Sequence, residues 1–166
     1  DYEYTMELVK AIEHLNIAWL EEPCLPDRMD EYARLKRDCP IAISGGEHDT
    51  SRWKFRQMLE MDACDIYQPA WGGGITETMS IINLVGAFNR KVYLHQCIPN
   101  VNAHIMAATN PAVVPMTEYL LTINEASQYF LQYPSRPQNG KIYPPEVVGV
   151  GCDVDESKVE NSEIIE

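Results

Sequence analysis

Positive charge is what this chain has least of. Thirteen lysines and arginines stand against 25 aspartates and glutamates, a formal net charge of −12 over 166 residues. Nucleic acid and anionic membrane both select a basic face, so neither is expected as a partner. No uncharged apolar run reaches the ~18 residues that a membrane span needs, and no cleavable leader is visible. Cysteine pairing is missing too. Cys24, Cys39, Cys64, Cys97 and Cys152 form no CxxC pair and no regular spacing, and they sit among apolar residues. An odd count without a leader points to free thiols, acting as small hydrophobes in a reducing, cytoplasmic compartment. Asp1 is not an initiator methionine, so the chain is expected to be processed, cut down or part of something longer.

What is present is a repeating alternation. Short apolar strand candidates begin near Ile17, Ile41, Asp65, Lys91 and Val113, roughly every 25 residues, each followed by a helix-prone segment. The helical stretches are Tyr2 to Leu15, Met29 to Asp38, Ser51 to Met61, Thr76 to Asn89 and Val101 to Thr109. Met6, Val9, Ile12 and Leu15 share one face of the first, and Phe55, Met58 and Leu59 one face of the third. This reads as an α/β fold of about five parallel strands, matching the C-terminal half of a TIM-like (β/α) barrel. An open nucleotide-binding sheet is the competing architecture. It would carry a glycine-rich turn after its first strand, and Gly72-Gly73-Gly74 lacks both that spacing and the later ribose-binding acid. The partial barrel domain is expected over residues 1–122, and after Leu121 the pattern dissolves into a wrap over 123–152. An acidic tail over 153–166 should be solvated and frayed, its six acids opposed by Lys158 alone and its only apolar residues Val154, Val159, Ile164 and Ile165.

Acidic residues stand where apolar strands end. Glu21 and Glu22 close Ile17-Ala18-Trp19-Leu20, and Glu47 with His48 follows Ile41-Ala42-Ile43 by a few residues. A carboxylate at the end of a buried strand is costly to desolvate unless its charge is used, and two on adjacent strands suit a hard cation such as Mg²⁺. The same phase of the repeat then yields Gln68, His95 and Glu118. Singly, His95 could be a satisfied structural histidine, Glu118 an arginine partner and His48 a polar residue at a helix start. Together on one rim they suit removal of a proton α to a carboxylate. A divalent ion on Glu21 and Glu47 would stabilise the enediolate, with His95 as acid or base. Glu118 would donate a hydrogen bond if the pocket raised its pKa.

Trp19-Leu20-Glu21-Glu22-Pro23, Gly46-Glu47-His48, Gln68-Pro69, Gly73-Gly74-Ile75-Thr76, Leu94-His95 and Thr117-Glu118-Tyr119-Leu120 resemble, in order and spacing, the enolase superfamily, mandelate racemase/muconate lactonizing enzyme subgroup. Asn139-Gly140-Lys141-Ile142 and Gly149-Val150-Gly151 are similar to that subgroup's tail, so the likeness runs from residue 1 to about 152. Within it the chain is most similar to acid-sugar (rhamnonate-type) dehydratases. The resemblance implies a Mg²⁺-dependent lyase acting on an acid sugar. Glu21 and Glu47 would be metal ligands, His95 and Glu118 catalytic, and Glu22, His48 and Gln68 supporting or substrate-facing.

Three departures qualify what is implied. The subgroup's first metal ligand, an aspartate just ahead of the position of Asp1, is not in the chain. The lysine-bearing strand and the capping domain are not in it either, so the chain alone is expected to be inactive. Ala70 stands where the subgroup has an aspartate paired with the histidine, so without a carboxylate partner His95 should be a weaker, less well oriented base; either another group compensates or the pair is broken. A racemase or epimerase on the same scaffold would need a base on the missing half. A non-catalytic half-barrel is the third reading, working as a homo-oligomer or with a complementary chain. A half-barrel leaves two sheet edges open, which invites pairing. The isolated chain is therefore expected to dimerise or to be poorly soluble, and sedimentation showing a compact, well-behaved monomer would overturn this.

Overall fold

Five parallel strands form one sheet in plain sequential order: β1 (Leu20–Glu21), β2 (Ile43–Gly45), β3 (Ile66–Tyr67), β4 (Lys91–Leu94) and β5 (Met116–Thr117). The computed structural model describes residues 1–96 and 98–163. Cys97 and residues 164–166, with Ile164 and Ile165 among them, lie outside those described. Helices connect the strands: α1 (Tyr2–Ile12) precedes β1, and α2 (Met29–Asp38), α3 (Arg52–Glu60), α4 (Gly74–Ala87) and α5 (Pro99–Ala107) follow β1 to β4 in turn. Parallel pairing demands such crossovers, because a tight turn can only reverse the chain. β4 begins at Lys91 as expected, whereas Ile17, Ile41, Asp65 and Val113 lie ahead of β1, β2, β3 and β5.

The helix ends follow local chemistry. The Asp1 side chain accepts from the Tyr4 backbone N–H at 2.9 Å, capping α1. Ser51 caps α3 by accepting from the Trp53 N–H at 3.2 Å. Pro99 opens α5, where its fixed φ and missing N–H cost nothing. Between helices and sheet lies a core built on Leu35, Ile43, Phe55, Tyr67, Val85, Val92 and Leu94. Cys24 and Cys64 are buried within it as free thiols.

The triple glycine serves packing. A Cβ on Gly73 would meet the Thr50 carbonyl oxygen at 2.5 Å, so only glycine lets the start of α4 close onto the loop before α3. Glu77 on α4 then accepts from the Arg52 backbone N–H at 2.7 Å and from its guanidinium, joining the two helices.

Beyond residue 121 the chain departs from expectation. A sixth helix, α6 (Leu121–Gln128), occupies the stretch read as irregular wrap. Its polarity is reversed: Asn124 and Gln128 are each only 1% exposed, while Leu121 is 75% exposed. Helical hydrophobic patterning finds elements that bury apolar faces, and this one buries amides. The acidic tail is also less free than expected in its described part. The Gln132 N–H donates to the Asp153 carbonyl, the Asp155 N–H donates to that of Phe130, and the Lys158 ammonium reaches the Tyr129 carbonyl at 2.6 Å.

Gly46 makes a close approach under the rim. Its φ of +116° is closed to L side chains, and a Cβ there would sit 3.0 Å from two carbons of the Phe55 ring. Gly46→Ala should lower stability by about 2 kcal/mol or more. Gly74→Ala has φ +79° but meets open space, so it should lose only the backbone share. Urea unfolding would show this as a lower midpoint at constant slope, and equal midpoints for both variants would refute it.

Candidate active site

Because all five strands run the same way, their C-terminal ends share one rim. Glu21 is the last residue of β1, Gln68 follows β3 directly, His95 follows β4 directly and Glu118 follows β5 directly. Glu47 and His48 lie just beyond β2 on the Gly46 turn. The rim that the βα phase suggested is therefore assembled.

His95 is its hub. Nδ1 lies 3.0 Å from Glu118 Oε2 and 3.2 Å from Glu47 Oε2. Neither contact has the alignment of an ideal hydrogen bond among the described residues, so both are ion-pair approaches. Two acceptor oxygens at this range leave no room for a lone pair on Nδ1, which must carry the proton. When the ring is neutral, Nε2 is then its basic nitrogen. From behind, the buried Asn102 amide donates to the His95 carbonyl at 3.0 Å and to Thr117 Oγ1 at 2.9 Å. Chiefly through contact with Glu118, and against the opposing effect of burial, His95 is raised above the ordinary histidine value. Of the two alternatives that Ala70 left, this geometry is the compensated one: a carboxylate reaches the ring from the end of β5.

Glu118 corrects a second expectation. Burial pushes its pKa up, but the His95 ring, the Gln96 N–H at 3.2 Å and the Gln68 amide at 2.8 Å together outweigh burial and hold it below the usual carboxylate value. A group held in this way accepts hydrogen bonds, so the condition set for donation, a pKa raised by the pocket, is not met in this state.

The remaining carboxylates stand around this hub. Burial raises the Glu47 pKa; His95 and His48 oppose that, while Glu22 and Glu21 add to it. Glu22 sits at φ +42°, faces His48 Nε2 at 3.1 Å and accepts from the Gly46 N–H at 3.4 Å. His48 is largely exposed and also stands 3.6 Å from Glu47. Glu21 accepts from the Trp19 indole N–H at 3.2 Å. Ligand atoms of Glu22, Glu47 and His48 lie within 4.8 Å of one another, and so do those of Glu21, His95 and Glu118. The two expected metal ligands, Glu21 and Glu47, thus fall in different clusters, Glu21 beside His95 and Glu118. As donors for a hard cation Glu21, Glu22 and Glu47 fit in kind: all offer oxygen, and Glu22 and Glu21 both raise the Glu47 pKa, a repulsion that a positive charge among them would relieve. Sequence reasoning missed Gln96 and Asn102. Only the unusual amides Asn100 and Asn102 in an otherwise apolar helix signalled that something behind His95 needed polar support.

The profile of the enolase C-terminal domain-like family matches residues 1–158. Among solved structures, the chain is similar to the 3,6-anhydro-D-galactonate cycloisomerase from Zobellia galactanivorans, with 30% identity over 95% of this chain and 46% of that one, at a TM-score of 0.85. It is similar to an enolase from alpha proteobacterium bal199 solved with bound Mg, with 28% identity over 95% and 42%, at 0.82. A presumed dehydratase from Salmonella enterica serovar Typhimurium gives 26% over 92% and 39%, at 0.82. The chain thus spans less than half the length of each.

The ion pairs dictate a pH response. His95 holds its proton more tightly when folded, so its contribution to stability is complete below the unfolded value of ~6.5 and fades as pH rises through the higher folded value. Glu118 contributes above the ordinary carboxylate range and loses its contribution as pH falls through its lowered value. NMR titration should place His95 above ~6.5 in the native chain and move it down in Glu118→Gln. A midpoint unchanged by that substitution would exclude Glu118 as its partner.

Proposed function

Since the chain belongs to the enolase superfamily, in its mandelate racemase/muconate lactonizing enzyme group, we propose that it carries the proton-transfer half of an acid-sugar dehydratase, a Mg²⁺-dependent carbon–oxygen lyase. The observation that carries this reading is the His95 ring, whose Nδ1 faces two carboxylates and whose Nε2 is left as the base. That nitrogen takes the proton from the carbon α to the substrate carboxylate, and the protonated ring, stabilised by Glu118, can return a proton to the departing hydroxyl. Asn102 and the Gln96 N–H hold the pair still while the charge moves. Glu21 and Glu47 would hold the cation, with Glu22 and His48 beside them, and a bound Mg²⁺ would offset charge building on the substrate carboxylate. An acid-sugar substrate draws support from the similar cycloisomerase, whose name specifies a galactonate, and from the similar presumed dehydratase.

The working form is proposed to be a completed barrel, built with a complementary half or a second copy. The outer strands support this: among the described residues β1 pairs only with β2 and β5 only with β4. An apolar groove of about 510 Å³ flanks β5, lined by Met106, Met116, Tyr119, Ile142 and Tyr143 among others.

With the barrel complete, Mg²⁺ present and aldonic acids offered in D₂O, deuterium should enter at the α carbon. His95→Asn should slow that entry by about 10³-fold while calorimetric Mg²⁺ affinity stays nearly unchanged. Equal loss of exchange and metal binding would make the histidine structural and sink the assignment.

A further inference from the structure

We propose that Gln68 is a positioning residue, which sets the His95 tautomer by holding the Glu118 carboxylate against Nδ1. Gln68 is 1% exposed at the end of β3, two strands away from Glu118. Its Nε2 donates to Glu118 Oε1 at 2.8 Å, and the other carboxylate oxygen, Oε2, accepts from the Gln96 N–H at 3.2 Å and lies 3.0 Å from His95 Nδ1. Every direction around this carboxylate for which a partner is seen is taken by a donor. The Gln68 amide cannot be reversed without turning its carbonyl onto Glu118 Oε1, acceptor against acceptor.

In its present orientation Gln68 Oε1 has no partner among the described residues. An unpaired buried carbonyl is costly, so the orientation is retained because the contact with Glu118 outweighs that cost. A hydrocarbon side chain would fill the same space without the unpaired oxygen, yet could not direct the carboxylate. Rotation of the Glu118 carboxylate is thus limited from two sides, by Gln68 on β3 and by the Gln96 backbone beyond β4.

The consequence for His95 is specific. Glu47 also faces Nδ1, at 3.2 Å, but a cation bound to Glu47 would compete for that contact. Glu118 is then the partner that remains, and Ala70, next to the Gln68-Pro69 step, supplies no carboxylate of its own. With Glu118 held, Nδ1 keeps its hydrogen and Nε2 stays free. The catalytic meaning of Gln68 rests on the proton-transfer reading above, whereas the ring geometry does not.

Long-range ¹H–¹⁵N correlation of the histidine side chains tests this in the full chain, without substrate or metal, at a pH where His95 is neutral. The native protein should show His95 mainly as the Nδ1–H tautomer. Gln68→Met, which removes the donor at similar volume, should move the tautomer ratio toward Nε2–H by at least about threefold. Gln68→Leu, a second side chain without a donor, should move it in the same direction, and Glu118→Gln should move it furthest. His14 and His104, which do not share a carboxylate with His95, serve as internal controls and should keep their tautomers. A native ring that is mainly Nε2–H overturns the proposal. So does an unchanged ratio in whichever of the two Gln68 variants retains the native amide fingerprint, even if Glu118→Gln shifts it. Loss of α-proton exchange chemistry with these tautomer results intact would instead count against the dehydratase reading alone.

Discussion

A partly buried imidazole with two carboxylates against one nitrogen is the arrangement on which the rest of this molecule turns. It places negative charge where solvent is scarce, and such charge persists only if it is paired and held. His95 supplies the pairing, with Glu118 at 3.0 Å and Glu47 at 3.2 Å. The holding comes from neutral amides: Gln68 and the Gln96 N–H on Glu118, and Asn102 behind the His95 backbone. Amides suit this place because they direct hydrogen bonds without adding charge, leaving the balance between ring and carboxylates to set the proton's position.

The fold makes that arrangement possible through direction and register. In a parallel sheet every strand ends on the same side, so side chains far apart in sequence meet without long connections. Gln68 and Glu118 are separated by 50 residues yet hydrogen-bonded, because β3, β4 and β5 lie side by side. Beneath the rim, close approach depends on glycine: Gly46 turns at φ +116° against the Phe55 ring and directs its own N–H to Glu22. The reversed helix α6 contributes from the outer edge, where the Asn124 amide donates to the Gln96 side chain at 2.9 Å. Support for the site thus continues into a segment whose exposed leucine and isoleucine give no hint of it.

Beside His95 and Glu118, Glu22 and Glu47 with His48 form a second, less balanced region. Glu47 is raised by burial and by its acidic neighbours, and two imidazoles only partly offset this. An excess of oxygen donors around one point is the condition a hard cation resolves. The two regions share Glu47, which faces His95 through one oxygen and His48 through the other. Any cation drawn to Glu47 therefore alters the surroundings of His95, leaving Glu118 as the fixed member.

How far could the sequence be read? The five-strand parallel order, the placement of α2 and the gathering of Glu21, Glu47, Gln68, His95 and Glu118 on one rim were all legible. They follow from local periodicity and from a repeat that returns each strand end to the same phase. The carboxylate partner of His95 and the lowered pKa of Glu118 were not legible. Ala70, just after the Gln68-Pro69 step on the preceding strand's end, supplies no carboxylate, and the one that faces His95 arrives from the strand beyond. Helix α6 was missed for a related reason, since the amides it buries look like a loop until the site that they serve is in view. Apolar patterning along the chain determined which residues form strands and helices, because burial acts on each segment's own side chains. Only the tertiary structure decided which carboxylate meets which nitrogen, because charge pairing is set by distances across strands, and these do not exist until the sheet is formed.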